Sequence, residues 1–266
     1  MRLSSQQDPP MDNKTVVLVT GAVRNTGLAI AEAFAERGAT VVLNGRKPED
    51  VAREAARLRR AYGTPVIEAP ADLARQEQVD ALFATVRQAC GRLDVLVNNA
   101  VLQGCGYSLA ETPRTLLEEL FAVNVFGVYA CSQGAARMML EQGRGSIVNI
   151  GSNSAERAIR MRTVYCASKA AIDGLTRAMA VELGPHGIRV NSVVAGYIHT
   201  PRWDSLTGEQ TARRHANLPL GTEATGRDIA NAVLFLASEA AAKITGTRLV
   251  VDGGILAQLT PADCDV

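Results

Sequence analysis

Short runs of apolar, often β-branched residues alternate along this chain with longer stretches whose apolar positions recur at helical spacing. The runs fall at residues 16–19, 40–43, 65–67, 95–97, 147–150, 188–190 and 248–251. Each is apolar almost without interruption rather than at every second position, which is how strands read when both faces are covered, as in a parallel sheet. The stretches between them carry helix punctuation. Pro48 opens one that Gly63 closes, Thr112-Pro113 caps another, and Gly226-Arg227-Asp228 precedes a third. No repeat, charge block or Pro/Gly/Ser-rich linker interrupts the succession. The prediction is α/β: a single doubly wound domain over residues 14–266 with a mostly parallel sheet of about seven strands. Residues 1–13 are expected to form a polar, flexible lead-in.

The stretch 167–183 departs from an ordinary amphipathic pattern. Ala167, Ala170, Ala171, Ile172, Leu175, Ala178, Met179 and Val181 do not share one helical face. A helix of that kind buries two sides, one on the sheet and one elsewhere, and a subunit interface is the natural second surface. A homo-oligomer, dimer or tetramer, is therefore expected.

Composition narrows the classes. The chain has 266 residues, 47% hydrophobic and 21% charged, which supplies a large core and excludes a disordered chain. Twenty-eight Lys and Arg against 27 Asp and Glu leave a formal charge of +1, so no global field favours nucleic acid or an anionic membrane. Five cysteines, without a CxxC or Cys/His pair, suggest neither a disulfide framework nor a metal site, and fit a reducing cytoplasm. No apolar leader and no membrane-length apolar stretch is expected.

Two local patterns carry chemistry. Thr20-Gly21-Ala22-Val23-Arg24-Asn25-Thr26-Gly27 follows the first strand directly and opens a helix expected over 28–37. A tight turn at a helix N-terminus offers free N–H groups and a favourable dipole to a phosphate. Farther on, Tyr165 and Lys169 stand at i and i+4, one above the other on a helix. A nearby cation and a positive cofactor ring would both favour phenolate, making Tyr165 a usable acid and base. Ser152 follows the fifth strand at its C-terminal end, on the side of a doubly wound sheet where ligands bind, placed to orient a substrate carbonyl toward Tyr165.

Taken together, the glycine-bearing turn, Ser152 and the YxxxK pair resemble the short-chain dehydrogenase/reductase family over about residues 14 to 256, with a layout like its NADP-dependent 3-oxoacyl reductases. The resemblance implies a Rossmann domain and the catalytic set Asn124, Ser152, Tyr165 and Lys169. It also implies a cofactor site of Gly21, Arg24, Asn25, Thr26, Gly27, Arg46, Asp72, Leu73, Asn98, Ala100, Tyr165, Lys169, Ile198 and Thr200. In this scheme Asp72 and Leu73 contact adenine, Ile198 and Thr200 meet the carboxamide, and Asn124 helps link Lys169 to solvent. Three positions depart from the pattern. Asn25 replaces a glycine, Val101 replaces another, and Ala195 replaces a proline. Asparagine tolerates a left-handed conformation, so the turn is expected to survive.

Where NAD-dependent members carry an acid after the second strand, this chain has Gly45 followed by Arg46, and Arg24 adds a second guanidinium. That pattern favours the 2′-phosphate of NADP(H), with Lys47 able to share the role. The substrate walls are expected at 101–109, 153–164 and 197–217, which hold Arg157, Arg160, Arg162, Arg202, Arg213 and Arg214. One or more could bind an anionic substrate group. The positions at which carrier-protein reductases grip an acidic carrier are Gly143 and His186 here, which favours a small free carbonyl or alcohol. Cys166 is expected to pack, and Ser154 and Ser168 to be structural. Dehydration or epimerisation through a keto intermediate, and non-catalytic dinucleotide sensing, are the alternatives on the same fold.

Overall fold

The computed structural model describes residues 14–104, 106–201 and 203–260. The expected lead-in over 1–13, Cys105, Arg202 and Cys264 lie outside them. The strands are β1 (Val16–Val19), β2 (Thr40–Leu43), β3 (Val66–Glu68), β4 (Val95–Asn98), β5 (Gly145–Ser152), β6 (Ile188–Ala195) and β7 (Arg248–Val251). They form one parallel sheet in the order β3-β2-β1-β4-β5-β6-β7. The order reverses between β1 and β4, and the crevice at that switch point is where such sheets bind ligands.

Helices cover both faces, which is why the strands read as continuous apolar runs. They are α1 (Asn25–Glu36), α2 (Pro48–Tyr62), α3 (Gln76–Cys90), α4 (Arg114–Phe121), α5 (Val128–Gln142), α6 (Thr163–Leu183), α7 (Gly208–Ala216) and α8 (Gly226–Ala237). Val17, Val19, Val41 and Leu43 pack with Phe34 of α1, Leu58 of α2 and Val233 of α8. Their sequence neighbours Val16, Leu18 and Val42 face the other way, onto Leu82 of α3, Met139 of α5 and Leu183 of α6.

Several boundaries differ from expectation for physical reasons. β5 and β6 extend past their apolar stretches because buried polar residues find partners there. Ser146 Oγ donates to the Leu236 carbonyl at 3.3 Å, and Asn191 Nδ2 to the Ile244 carbonyl at 2.8 Å. α1 begins at Asn25 rather than 28. Gly226, Arg227 and Asp228 form the first turn of α8 instead of preceding it, since Thr225 caps the helix in a reciprocal capping box with Asp228. α2 matches its punctuation, with Pro48 in the first turn and Gly63 at φ 68° closing it.

Between α4 and α5, Ala122–Gly127 winds as a π-helix, so residues 114–142 form one helical run. By length and composition this run could cross a membrane, contrary to the sequence expectation. Its apolar content has another explanation: Cys131, Ala135, Met138 and Met139 lie in the core beside the sheet, while Phe126 and Tyr129 remain exposed. The two-sided pattern of α6 is equally visible. Ile172, Ala180 and Leu183 are buried, whereas Ala167, Ala170, Ala178 and Val181 are exposed and no loop among the described residues covers them.

Candidate active site

The turn after β1 meets the requirements of a dinucleotide phosphate site. Arg24 stands extended at the N-cap of α1, no side chain caps that terminus, and no acid lies in the first turn. The leading N–H groups are thus left to an external anion. Gly21 has φ 61°, and a Cβ there would lie 2.8 Å from Ala100 Cα. Asn25 adopts φ 49°, the left-handed geometry that asparagine tolerates in place of glycine. A Cβ on Gly27 would lie 2.4 Å from both Asn99 Nδ2 and the Gly21 carbonyl, so this close packing also requires glycine.

Two residues that the sequence did not single out hold this turn. Asn99 Nδ2 donates to the carbonyls of Thr20 and Gly21 at 2.9 and 3.1 Å, while Thr20 Oγ1 accepts from the backbone N–H groups of Asn99 and Ala100. From the other side, Asn44 Oδ1 accepts from the Gly21 N–H at 3.2 Å, and Asn44 Nδ2 donates to the Ala69 and Ala71 carbonyls. Asn98, expected at the cofactor, instead turns its side chain into the core, donating to Ser132 Oγ and Asn149 Oδ1 at 3.0 and 2.9 Å. Only its backbone is left for a ligand. The Asp72 carboxylate accepts from the Ala74 N–H, and Leu73 is buried.

A Cβ at Gly45 would lie 2.7 Å from Val23 Cγ1, so an acid of the NAD type here would have to displace the Val23 side chain. Arg24 and Arg46 beside it are exposed and make no side-chain hydrogen bond or ion pair among the described residues.

At the reacting centre, Ser152 is the last residue of β5 and is buried. Its hydroxyl accepts from the Ser154 N–H at 3.2 Å, lies 2.9 Å from Ser154 Oγ, and is hydrogen bonded to Tyr165. Burial raises the Tyr165 pKa; the Ser152 hydrogen bond and the Arg162 charge act against that rise. Arg162 lies 5.9 Å from the Tyr165 ring centroid, as does Lys169 Nζ. Both cations thus stand equally close to the phenol ring. Lys169 Nζ is committed to the Ile150 carbonyl at 2.7 Å, because a buried ammonium needs an acceptor. Its burial brings the Lys169 pKa down to about 8, opposed by the negative charge of Asp173.

Asn124 lies within the π-helical turn and is 2% exposed. Its side chain exchanges hydrogen bonds with the backbone of Leu102 at 2.8 and 2.9 Å and donates to Ser168 Oγ at 3.2 Å. Ser168 Oγ in turn donates to the Tyr165 carbonyl at 2.8 Å. Asn124 thereby ties the loop after β4 to the helix that carries Tyr165, and such π-turns often sit at functional sites.

Ile198, just beyond β6, forms an isolated bridge with Ala224. A cavity of about 310 Å³ joins this region to the phosphate turn, with Asn25, Thr26, His199, Thr200, Asp204 and Arg227 among its lining. The expected arginines divide. Arg157 is spent on the carbonyls of Ile255, Leu256 and Gln258, and Arg214 lies over Tyr197 and Trp203. Arg162 lies beside the Tyr165 ring. Gly143 and His186 lie at the strand ends opposite Ser152, before β5 and β6 respectively.

Residues 21–256 match the family described as enoyl-(acyl carrier protein) reductase. An uncharacterized oxidoreductase of Bacillus subtilis is 37% identical, covering 94% of both chains. An L-rhamnose 1-dehydrogenase (NAD(P)(+)) of Azotobacter vinelandii is 38% identical, covering 93% of this chain and 98% of that protein. Among solved structures, a gluconate 5-dehydrogenase of Burkholderia cenocepacia in complex with NADP and tartrate superposes with a TM-score of 0.87 at 32% identity, covering 92% of this chain and 96% of the other.

Proposed function

The chain belongs to the short-chain dehydrogenase/reductase family of oxidoreductases acting on alcohols and ketones, and we propose that it works with NADP(H) and uses Tyr165 as general acid and base. The observation that carries this reading is the convergence of Ser152, Tyr165 and the buried Lys169 at the end of β5. The uncapped N-terminus of α1 takes the pyrophosphate, and Arg24 and Arg46 take the 2′-phosphate. Asp72 and Leu73 border the adenine, the backbone of Asn98 and Ala100 the adjoining ribose, and Ile198 and Thr200 the carboxamide. When bound, the nicotinamide supplies or accepts the hydride.

In the reducing direction, Ser152 donates a hydrogen bond to the substrate carbonyl oxygen, and Tyr165 delivers its hydroxyl proton to the same oxygen as the alcohol forms. Lys169, held by the Ile150 carbonyl, offsets the negative charge left on Tyr165, and Arg162 adds to that field. In the oxidising direction Tyr165 takes the proton back.

A small hydroxylated or hydroxy-acid substrate is favoured. The rhamnose and gluconate dehydrogenases among the similar proteins point that way, and Arg162 beside the reacting phenol offers a partner for a carboxylate. Gly143 and His186 weaken the basic grip for an acidic carrier, with the exposed Arg144 left to compensate in part. The open apolar face of α6 suits a homo-oligomer, and a cytoplasmic setting fits the free thiols of Cys90, Cys131 and Cys166.

The test is consumption of NADPH or NADH by the purified chain with a panel of ketones, keto acids and sugar-derived substrates. NADPH is expected to be preferred. Tyr165→Phe should lower kcat/KM by about 10²–10⁴-fold with NADPH binding retained. Undiminished turnover in the Phe variant would overturn the assignment.

A further inference from the structure

One cluster at the edge of the site has no part in the proton chemistry. His199 follows Ile198 beyond β6, His215 lies in the last turn of α7, and Glu223 lies in the segment returning to α8. One Glu223 oxygen contacts His199 Nδ1 at 2.8 Å, and the other contacts His215 Nε2 at 2.5 Å. Trp203 stacks on both imidazoles, with ring centroids 6.3 and 6.0 Å away and planes within 28° and 24°. The Arg214 guanidinium lies 4.9 Å from the Trp203 ring centroid.

The backbone around Glu223 is itself fixed to the end of β6. The Ala224 N–H donates to the Tyr197 carbonyl at 3.0 Å, and the His199 N–H donates to the Ala224 carbonyl at 2.7 Å. α7 has no such footing. It is 9 residues long, too short to be stable alone, and none of its residues is buried. Without a buried face on the core, its position depends on the contacts of His215 and Arg214 with the Trp203 and Tyr197 rings and on the His215–Glu223 bond, which reaches back to the fixed segment.

We propose that Glu223 is a positioning residue for the substrate side. Its carboxylate takes one imidazole on each oxygen, and so holds α7 and Trp203 beside the cavity shared by Thr26 and Thr200. The proposal rests on the function above for its kinetic consequence. An ionised carboxylate suits the task, since it accepts two N–H donors where a Gln side chain offers one oxygen. Burial acts to raise the Glu223 pKa, but the hydrogen bonds from His199, its own backbone and His215 outweigh it and hold the group ionised.

Trp203 is the sole tryptophan of the chain, so its fluorescence reads this cluster without reference to activity. In the wild type it is 8% exposed and should resist acrylamide quenching. In Glu223→Ala the quenching constant should rise about threefold, and KM for the carbonyl substrate should rise about tenfold, the worth of a charged hydrogen bond, with kcat nearly unchanged. Glu223→Gln should fall between. His215→Ala, which leaves Glu223 its other partner, should show a smaller change of the same sign, and the double variant should add little to Glu223→Ala. Thermal midpoints are measured alongside, so a general loss of folding is seen as such. Unchanged quenching and unchanged KM in both single variants would overturn the proposal. If the wild type turns over no carbonyl compound, the functional reading fails, while the quenching series still decides whether Glu223 holds the cluster.

Discussion

Ser154 Oγ lies 2.9 Å from Ser152 Oγ, and the Ser154 N–H donates to the same oxygen at 3.2 Å. The two contacts fix the Ser152 rotor next to Tyr165. Ser152→Ala is expected to lower kcat/KM by about 10²-fold or more, since it removes the donor to the substrate oxygen. Ser154→Ala should cost about five- to tenfold, the worth of one neutral hydrogen bond, with KM little changed. Steady-state kinetics of the two variants checks the ranking.

Lys169 is expected to set the alkaline limit of activity. Its burial lowers the pKa to about 8, so the ammonium is present below that pH and lost as pH rises through it. The logarithm of kcat/KM should decline above pH 8. Asp173 opposes the lowering; its carboxylate contacts Arg248 Nε at 3.0 Å and also feels Arg177 and Glu156. Asp173→Asn should move the decline to lower pH, and a pH–rate profile of both proteins measures it.

Arg46 is exposed beside Gly45, whose site a larger side chain could enter only by displacing Val23. Arg46→Ala is expected to raise KM for NADPH about tenfold or more through loss of a charge-assisted contact, and to leave KM for NADH nearly unchanged. Parallel titrations with both cofactors provide the check; equal effects would remove the assignment of the 2′-phosphate.

The outer face of α6 is small and apolar, and Val181 is 80% exposed. If a second copy covers it, Val181→Glu buries an unpaired charge in the interface and should dissociate the assembly. Light scattering on wild type and variant gives the masses directly.

Much of the molecule was legible along the chain because its causes are local. Strands covered on both faces read as apolar runs, and Pro48 and Gly63 marked α2. Asn25 could be expected in a left-handed turn because few other side chains tolerate one. Local pattern misled where a residue's partner lies far away. Asn98 is among the expected cofactor residues, yet its side chain faces Ser132 and Asn149, and it is Asn99 that braces the phosphate turn. Asn44 gave no signal, since its partners come from the first and third strand ends.

The amino-acid order by itself determined the parallel α/β class and the stacking of Lys169 one turn beyond Tyr165, because strand burial and helix pitch act over a few residues. Only the tertiary structure decided that Ser152 meets Tyr165, that Arg162 stands as near the phenol ring as Lys169 does, and that Glu223 spans His199 and His215. These pairings follow from which strands lie side by side and where their loops return, and no periodicity within one segment encodes that.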